Sequence, residues 1–397
     1  MVAMRWASAR SLTREPAAAG SEAATAVREA LGPGVVDLAA VFFSAPHVPG
    51  VEAIAAAVRE RLAPGCLIGC SAAGVVAGSE EIEGGPALAV IAGRLPGVEL
   101  RPFVLLHEGW EEADDPLAFG RLAPGATGAE LLLLLGDPFS LAVEPVLAAI
   151  DRHARGLRVV GGMASAGVRP HANALLLNDW IGAEGGVAVA LRGALRVDVV
   201  VSQGCRPIGP ALEVTRAEGH LVVELDGQPA LERVEQVLHA LGERERERLR
   251  HGLYVGRPAR GGASGQGDYL IRNLLGADRD RGVLAVGDHL PDHERIRLHV
   301  RDAETAREDL ELLLSPQVVD SPPHAAFLFL CNGRGRGLYG RPHGDITVLQ
   351  EALGGAVPAA GMSCAGEIGP VGGRNFLHGH TASIALVRPP AGRDLPG

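Results

Sequence analysis

Apolar runs and amphipathic stretches alternate along this chain in a fixed order. Val35 to Phe43 is a continuous β-prone run, the pattern of a strand buried on both faces. After Pro49 the apolar positions Val51, Ile54, Ala55, Val58 and Leu62 fall on one helical stripe, and Pro64-Gly65 ends it. Cys66 to Gly69 then leads into a turn of small residues, and Ala87 to Ala92 is a further strand. The same order returns: Leu131–Leu135 as strand, Leu141 to His153 as helix, Leu157 to Gly167 as strand and turn, Val187–Leu191 as strand. A third strand, Ala325–Cys331, opens a last unit after a predicted helix over Ala303 to Leu314.

The turns share the form G-x-x-x-A-G at Gly69–Gly74, Gly162–Gly167 and Gly361–Gly366. Glu83-Gly84-Gly85 and Glu184-Gly185-Gly186 each precede a strand. Three matches in one structural order point to duplication. The pattern therefore predicts an α/β fold (α+β also fits) of repeated strand-helix-strand units, with layered sheets flanked by helices. A sandwich of two sheets between helices and a doubly wound sheet both fit.

Between the second and third units the texture changes. Residues 193–230 read as short strands joined by Gly and Pro, with a tight turn at Asp226-Gly227. Leu231 to Leu241 reads as a helix, and the alternating charges of 243–250 as a solvated helical face. Gly252 to Gly267 reads as a long loop; Leu270–Leu275, Val283–Val286 and Ile296–Val300 read as strands. The expected division is a polar, alanine-rich lead-in over 1–30 with a helix from Ser21 to Leu31, one domain over 31–200, a second over 201–390, and a tail over 391–397.

Composition narrows the function. The 397 residues carry a formal charge of −10, which argues against a nucleic-acid backbone or an anionic membrane surface as partner. All 37 basic residues are arginine, so Schiff-base chemistry, pyridoxal phosphate attachment and a lysine-bearing phosphate loop are excluded. Five cysteines without C-x-x-C spacing suggest free thiols in a reducing cytoplasm. The N-terminus lacks the apolar core of a secretory signal, and no apolar run approaches a membrane span.

Several phrases together resemble the FIST family, sensory domains of bacterial signalling proteins. IGCSAAG at 68–74 is similar to the FIST N region. GCRPIG at 204–209, ELDG at 224–227, IRNLLGAD at 271–278, CNGRG at 331–335, GEIGP at 366–370 and FLHGHT at 376–381 are similar to FIST C. The resemblance implies an intracellular, non-enzymatic sensor of a small ligand, an amino acid or related metabolite, without a cofactor. Its output would pass to a separate signalling protein or through an oligomer.

The residues suggest how such a ligand would be held. Arg334 or Arg336 offers a bidentate fork to a carboxylate, and Glu367 can accept from an ammonium. Asn332, Gly335, Ser363, Gly366, His378 and Thr381 flank them. Equally, Arg334 and Glu367 can pair with each other and brace two loops, and His378 can be a core histidine. Gly69, Cys70, Ser71 and Gly74 form a possible second site in the first repeated turn. Cys331 is a candidate reactive thiol, lowered in pKa by nearby arginine or raised by burial.

Two other readings compete. Gly335 to Gly340 matches G-x-G-x-x-G, but Pro342 interrupts the helix start and no acid follows about 20 residues on. His378-x-His380 places two imidazoles on one side of a strand, short of a zinc ligand set. A thiol- or metal-dependent hydrolase using Cys364, His378 and Glu367, and a pure interaction scaffold, are the alternatives to the sensor.

Overall fold

Three stretches of chain fold into one order of elements. The structure is a computed structural model that describes residues 3–106, 109–110, 113–249, 252–259, 269–355 and 357–390. The first stretch holds β1 (Arg5–Ser11), α1 (Pro16–Leu31), β2 (Leu38–Ser44), α2 (Val51–Leu62), β3 (Cys66–Ala72), the hairpin β4 (Gly74–Ala77) and β5 (Glu80–Glu83), and β6 (Leu88–Arg94). The second holds β7 (Val98–Leu105), α3 (Pro116–Leu122), β8 (Leu131–Gly136), α4 (Val143–His153), β9 (Arg158–Met163), the hairpin β10 (Leu175–Leu177) and β11 (Trp180–Gly182), and β12 (Gly186–Gly193).

The third begins with β13 (Arg196–Ser202) and is interrupted by residues 203–309, a unit of their own. That unit holds β14 (Cys205–Glu218), β15 (Leu221–Leu225), β16 (Gln228–Pro229), α5 (Ala230–Ala240), α6 (Glu243–Arg248), β17 (Leu253–Pro258), β18 (Tyr269–Asp278), β19 (Val283–Val286) and β20 (Arg295–Arg301). α7 (Ala303–Leu314) spans the boundary after residue 309, and the third stretch goes on with β21 (Ala325–Cys331), α8 (Arg336–Tyr339), α9 (Gly344–Ala352), β22 (Ala359–Cys364), the hairpin β23 (Glu367–Val371) and β24 (Arg374–His378), and β25 (Ala382–Arg388).

Each repeat supplies a four-stranded sheet, and each sheet is completed by another repeat's hairpin. The orders are β1-β6-β2-β3-β10-β11, β7-β12-β8-β9-β23-β24 and β13-β25-β21-β22-β4-β5. The hairpins are thus exchanged in a closed ring: second repeat to first sheet, third to second, first to third. Alternate residues of all three sheets meet in one apolar core, including Phe42, Ile68, Leu133, Val189, Phe327, Phe329 and Met362. The opposite faces carry the helices: α1 and α2, then α3 and α4, then α9 with Leu310 and Leu314. Strands such as β2, buried at all seven positions, therefore read as unbroken apolar runs.

The parallel pairs β2–β3, β8–β9 and β21–β22 set Gly69 opposite Val41, Gly161 opposite Leu134 and Gly361 opposite Leu328. A Cβ on any of them would lie within 2.3 Å of that neighbour's carbonyl oxygen. The second repeated turn is therefore equivalent through Gly161, one residue before the glycine that the sequence pattern selects.

Of the expected polar lead-in over 1–30, the described residues 3–30 are built into the fold. All seven residues of β1 pair with β6, and Ala19, Ala23, Ala24, Val27 and Leu31 are fully buried. Glu15 caps the amides of Ala17 and Ala18, with Pro16 at the first helical turn. Alanine's small side chain hid this face; it lets α1 approach α2 closely, with only 3.2 Å between a Cβ placed on Gly20 and that of Ala57.

The compact units also cut the chain differently from segments 31–200 and 201–390. The described residues of 310–390 fold with those of 3–202, because β25 pairs with β13 along its whole length and β22 pairs with β4. In the 203–309 unit, β14-β20-β17-β18-β19-β15 are all antiparallel, and β15 returns to β14 to close the sheet. Its core draws Val234 and Val237 from α5. Leu253–Pro258 is a strand where a loop was expected; residues 260–268 lie outside the described residues. Among the described residues no helix is long and apolar enough to cross a membrane.

Candidate functional site

The carboxyl ends of β21 and β22 meet the borrowed hairpin β4–β5. A cavity of about 10 Å³, room for roughly one water molecule, lies there. Of the expected site residues, Cys331, Asn332, Arg334, Gly335 and Ser363 line it. Glu81 and Glu83, from the hairpin, line the rest of its polar wall.

Arg334 is fully buried and already engaged. Its Nε donates to Asp345 Oδ2 at 2.8 Å and its Nη2 to Oδ1 at 2.5 Å. Nη2 also reaches the Tyr339 hydroxyl at 3.0 Å, which itself donates to Asp345 Oδ1 at 2.7 Å; Nη1 donates to the His380 carbonyl at 3.3 Å. Burial works against the guanidinium charge, yet Asp345 and Tyr339 hold its pKa well above the ordinary value. The fork expected to receive a ligand carboxylate is closed on Asp345 instead.

Glu81 faces this pair from β5 and is nearly buried. Its Oε1 accepts from the Ile346 amide at 2.7 Å, while its own amide donates to His343 Nδ1 at 2.9 Å. Burial, then the like charge of Asp345, push its pKa up to about 7. Glu83 Oε1 accepts from the Arg336 amide at 2.9 Å. Gly335, at φ 60°, leaves room for that carboxylate: a Cβ there would sit 2.4 Å from Glu83 Oε1.

Glu367 is close in another sense. Its Oε2 accepts from the Thr381 amide at 3.0 Å, next to the His380 carbonyl held by Arg334. Arg334 and Glu367 thus grip the carbonyl and the amide of one peptide group. Glu367, Gly366, His378 and Thr381 are not among the residues lining the cavity. His378 Nε2 bonds to the Gly369 carbonyl at 2.9 Å inside the sheet, and Gly366 accepts from the Met163 amide at 2.8 Å.

The proposed second site is sealed. Gly69, Cys70, Ser71 and Gly74 are all buried. Cys70 Sγ lies 3.0 Å from Met362 Sδ, and Ser71 Oγ accepts from the Ala174 amide at 2.9 Å. The small-residue turns pack on one another: Ser165 Oγ donates to the Ser363 carbonyl at 2.5 Å and accepts from the Ala73 amide at 2.9 Å.

The buried thiols are poor nucleophiles. Burial pushes Cys66 up to about 12, and raises Cys70 and Cys364 too. Cys364 therefore does not suit the nucleophile's part in a hydrolase. Cys205 and Cys331 are half-buried. A thiol reagent at neutral pH should modify at most these two in the native protein and all five after denaturation; native labelling of Cys364, read by peptide mass, would contradict this assignment. Among the described residues no three His, Cys, Asp or Glu side chains gather to hold a metal ion.

Glu81, Glu83, Tyr339 and Asp345 escaped the sequence reading. The Glu83-Gly84-Gly85 phrase marked the hairpin's end, but nothing local says that the hairpin docks some 250 residues downstream. Register makes Glu81 equivalent to Ile181 and Leu377 in the other two hairpins. Two of the three equivalent positions are apolar, and one is a buried acid.

Comparison with known proteins adds the following. Residues 37–228 match the FIST N domain and residues 230–370 the FIST C domain. An uncharacterized protein of Mycobacterium tuberculosis is 38% identical over 372 residues, covering 93% of this chain and 95% of the relative. An uncharacterized protein of Mycobacterium bovis is 37% identical with the same coverage. The crystal structure of a cyanuric acid hydrolase from A. caulinodans aligns over 98% of this chain and 99% of that one, at 9% identity and a TM-score of 0.33. That level of likeness carries no argument about activity.

Proposed function

The chain belongs to the FIST family of sensory, signal-transduction domains, and from that premise we propose that it senses a small polar ligand bearing an amino group, an amino acid or related metabolite. The observation that carries this reading is the small polar cavity between β4–β5 and the ends of β21 and β22, walled by Glu81 and Glu83. Glu83 and Glu81 receive the ammonium, and Asn332 and Ser363 supply neutral hydrogen bonds. Arg334, paired with Asp345, shapes the wall. Glu367 and Arg334 brace the 380–381 turn from two sides.

The cavity as it stands fits a single water, so a ligand must displace the hairpin's rim to enter. That displacement would carry the signal to a separate output protein or a second copy of the chain.

A thermal-shift screen of amino acids and amine metabolites tests this. At about 100 times Kd a true ligand adds roughly 2.7 kcal/mol and raises Tm by several degrees. Glu83→Gln should weaken that ligand about tenfold without lowering the unliganded Tm. A broad panel that leaves Tm unmoved would sink the reading.

A further inference from the structure

The hairpin that walls the cleft is held in an unusual way. Among the described residues β5 is the outermost strand of its sheet: one side pairs with β4 and the other has no strand partner there. Contacts from the α8–α9 segment replace the missing strand. Gln350 Nε2 donates to the Gly78 carbonyl at 2.8 Å, His343 Nδ1 accepts from the Glu81 amide, Glu81 Oε1 accepts from the Ile346 amide, and Glu83 Oε1 accepts from the Arg336 amide. Two of these four bonds meet on one residue, Glu81, whose carboxyl is packed against Asp345.

We propose that β5 is a proton-gated lid on the cleft, closed when Glu81 is protonated and released from α9 as Glu81 ionises. This rests on the ligand-site reading for its purpose, but its physics needs no ligand. The groups facing the Glu81 carboxyl are Asp345 and the Ile346 amide from α9, with Arg334 from the loop after β21. Asp345 and burial oppose its charge; Arg334 and the amides of 345 and 346 favour it. Burial dominates, because Arg334 and Asp345 are joined in a two-point pair that largely cancels their opposing effects and leaves the desolvation of Glu81 little opposed. On its own strand, Glu80 is paired with Arg10 at 2.7 Å and one oxygen of Glu83 accepts from the Arg336 amide. His343 Nδ1 is an acceptor in the closed form.

The sign follows from linkage. With the lid closed Glu81 titrates at about 7, and when freed into water it returns to the ordinary value of 4.5. The closed form binds the proton more tightly, so acid favours closure. Opening grows roughly tenfold per pH unit across the window from 4.5 to 7, then levels off. A neutral carboxyl still accepts from Ile346, so closure does not need the charge.

Hydrogen exchange of the full chain, read by mass spectrometry and corrected for intrinsic rates, tests the lid. The reporters are the amides of Glu81 and Ile346, which release breaks together. Their protection should fall by more than tenfold between about pH 5 and about pH 8, while β21 stays protected. Glu81→Gln should hold the lid closed and flatten this dependence. Should that variant not fold, Asp345→Asn is the second: with less repulsion, the plateau should begin at lower pH. Protection in the wild-type protein that is constant with pH, or that rises with it, would overturn the proposal. So would a wild-type slope retained in Glu81→Gln. A flat profile leaves the thermal-shift result standing, and a silent ligand panel leaves the lid standing.

Discussion

Arg334→Ala should cost about 3–5 kcal/mol of stability, read as a lowered midpoint in urea unfolding of the full chain. The reason is what remains after truncation. Asp345 has no exposure, accepts two guanidinium bonds and one from Tyr339, and shares its pocket with the buried Glu81. Without Arg334, two carboxyl groups face each other in a dry site with no cation. Arg334→Lys should recover part of the charge and lose the fork. Arg334→Met with Asp345→Leu should lose far less than Arg334→Ala, because removing both charges removes the desolvation cost with them. A midpoint for Arg334→Ala within experimental error of the parent would show that the pair is idle. Loss of ligand binding in that variant alone would say little, since the site itself would have collapsed.

Gly361→Ala is the other large effect expected, about 3 kcal/mol or more, to the point of failed expression. Its Cβ would sit 1.8 Å from the Leu328 carbonyl oxygen, an atom of the adjacent backbone that no rotamer change can move. Relief requires parting β21 from β22, and the core beneath them holds residues from all three sheets. Gly337→Ala is the control. Nothing lies within 4 Å of a Cβ there, and the backbone is helical, so the change should be neutral or slightly stabilising. Equal behaviour of the two variants in thermal melts would refute the crowding argument.

The sequence carried the local part of this architecture well. Ala303–Leu314 and Ala325–Cys331 stand where their periodicity puts them, and α2 buries the stripe of Val51, Ile54, Ala55, Val58 and Leu62. Apolar period reports which face is covered; it does not report by what. The exchange of hairpins was invisible for that reason: Val75 and Met362 pair as neighbours although nearly 290 residues apart. The site suffered likewise. Arg334 was recognised, but the side-chain partner considered for it was Glu367, at the start of β23, and its partner is Asp345, in the first turn of α9. Glu81 gave no local sign, since an acid in a short hairpin ordinarily reads as solvated. The placement of residues 1–30 was missed because alanine counts for little in any hydrophobic pattern, yet packs helices closest.

The ring of exchanged hairpins has a consequence for how such a chain can change. Residues 78–83 form part of the wall that residues 331–346 complete, so a substitution in the first repeat is felt as a change in the third. No repeat can drift toward a new specificity by itself. Heredity must revise two distant passages of the gene in step, and descendants should differ in correlated pairs rather than in single letters.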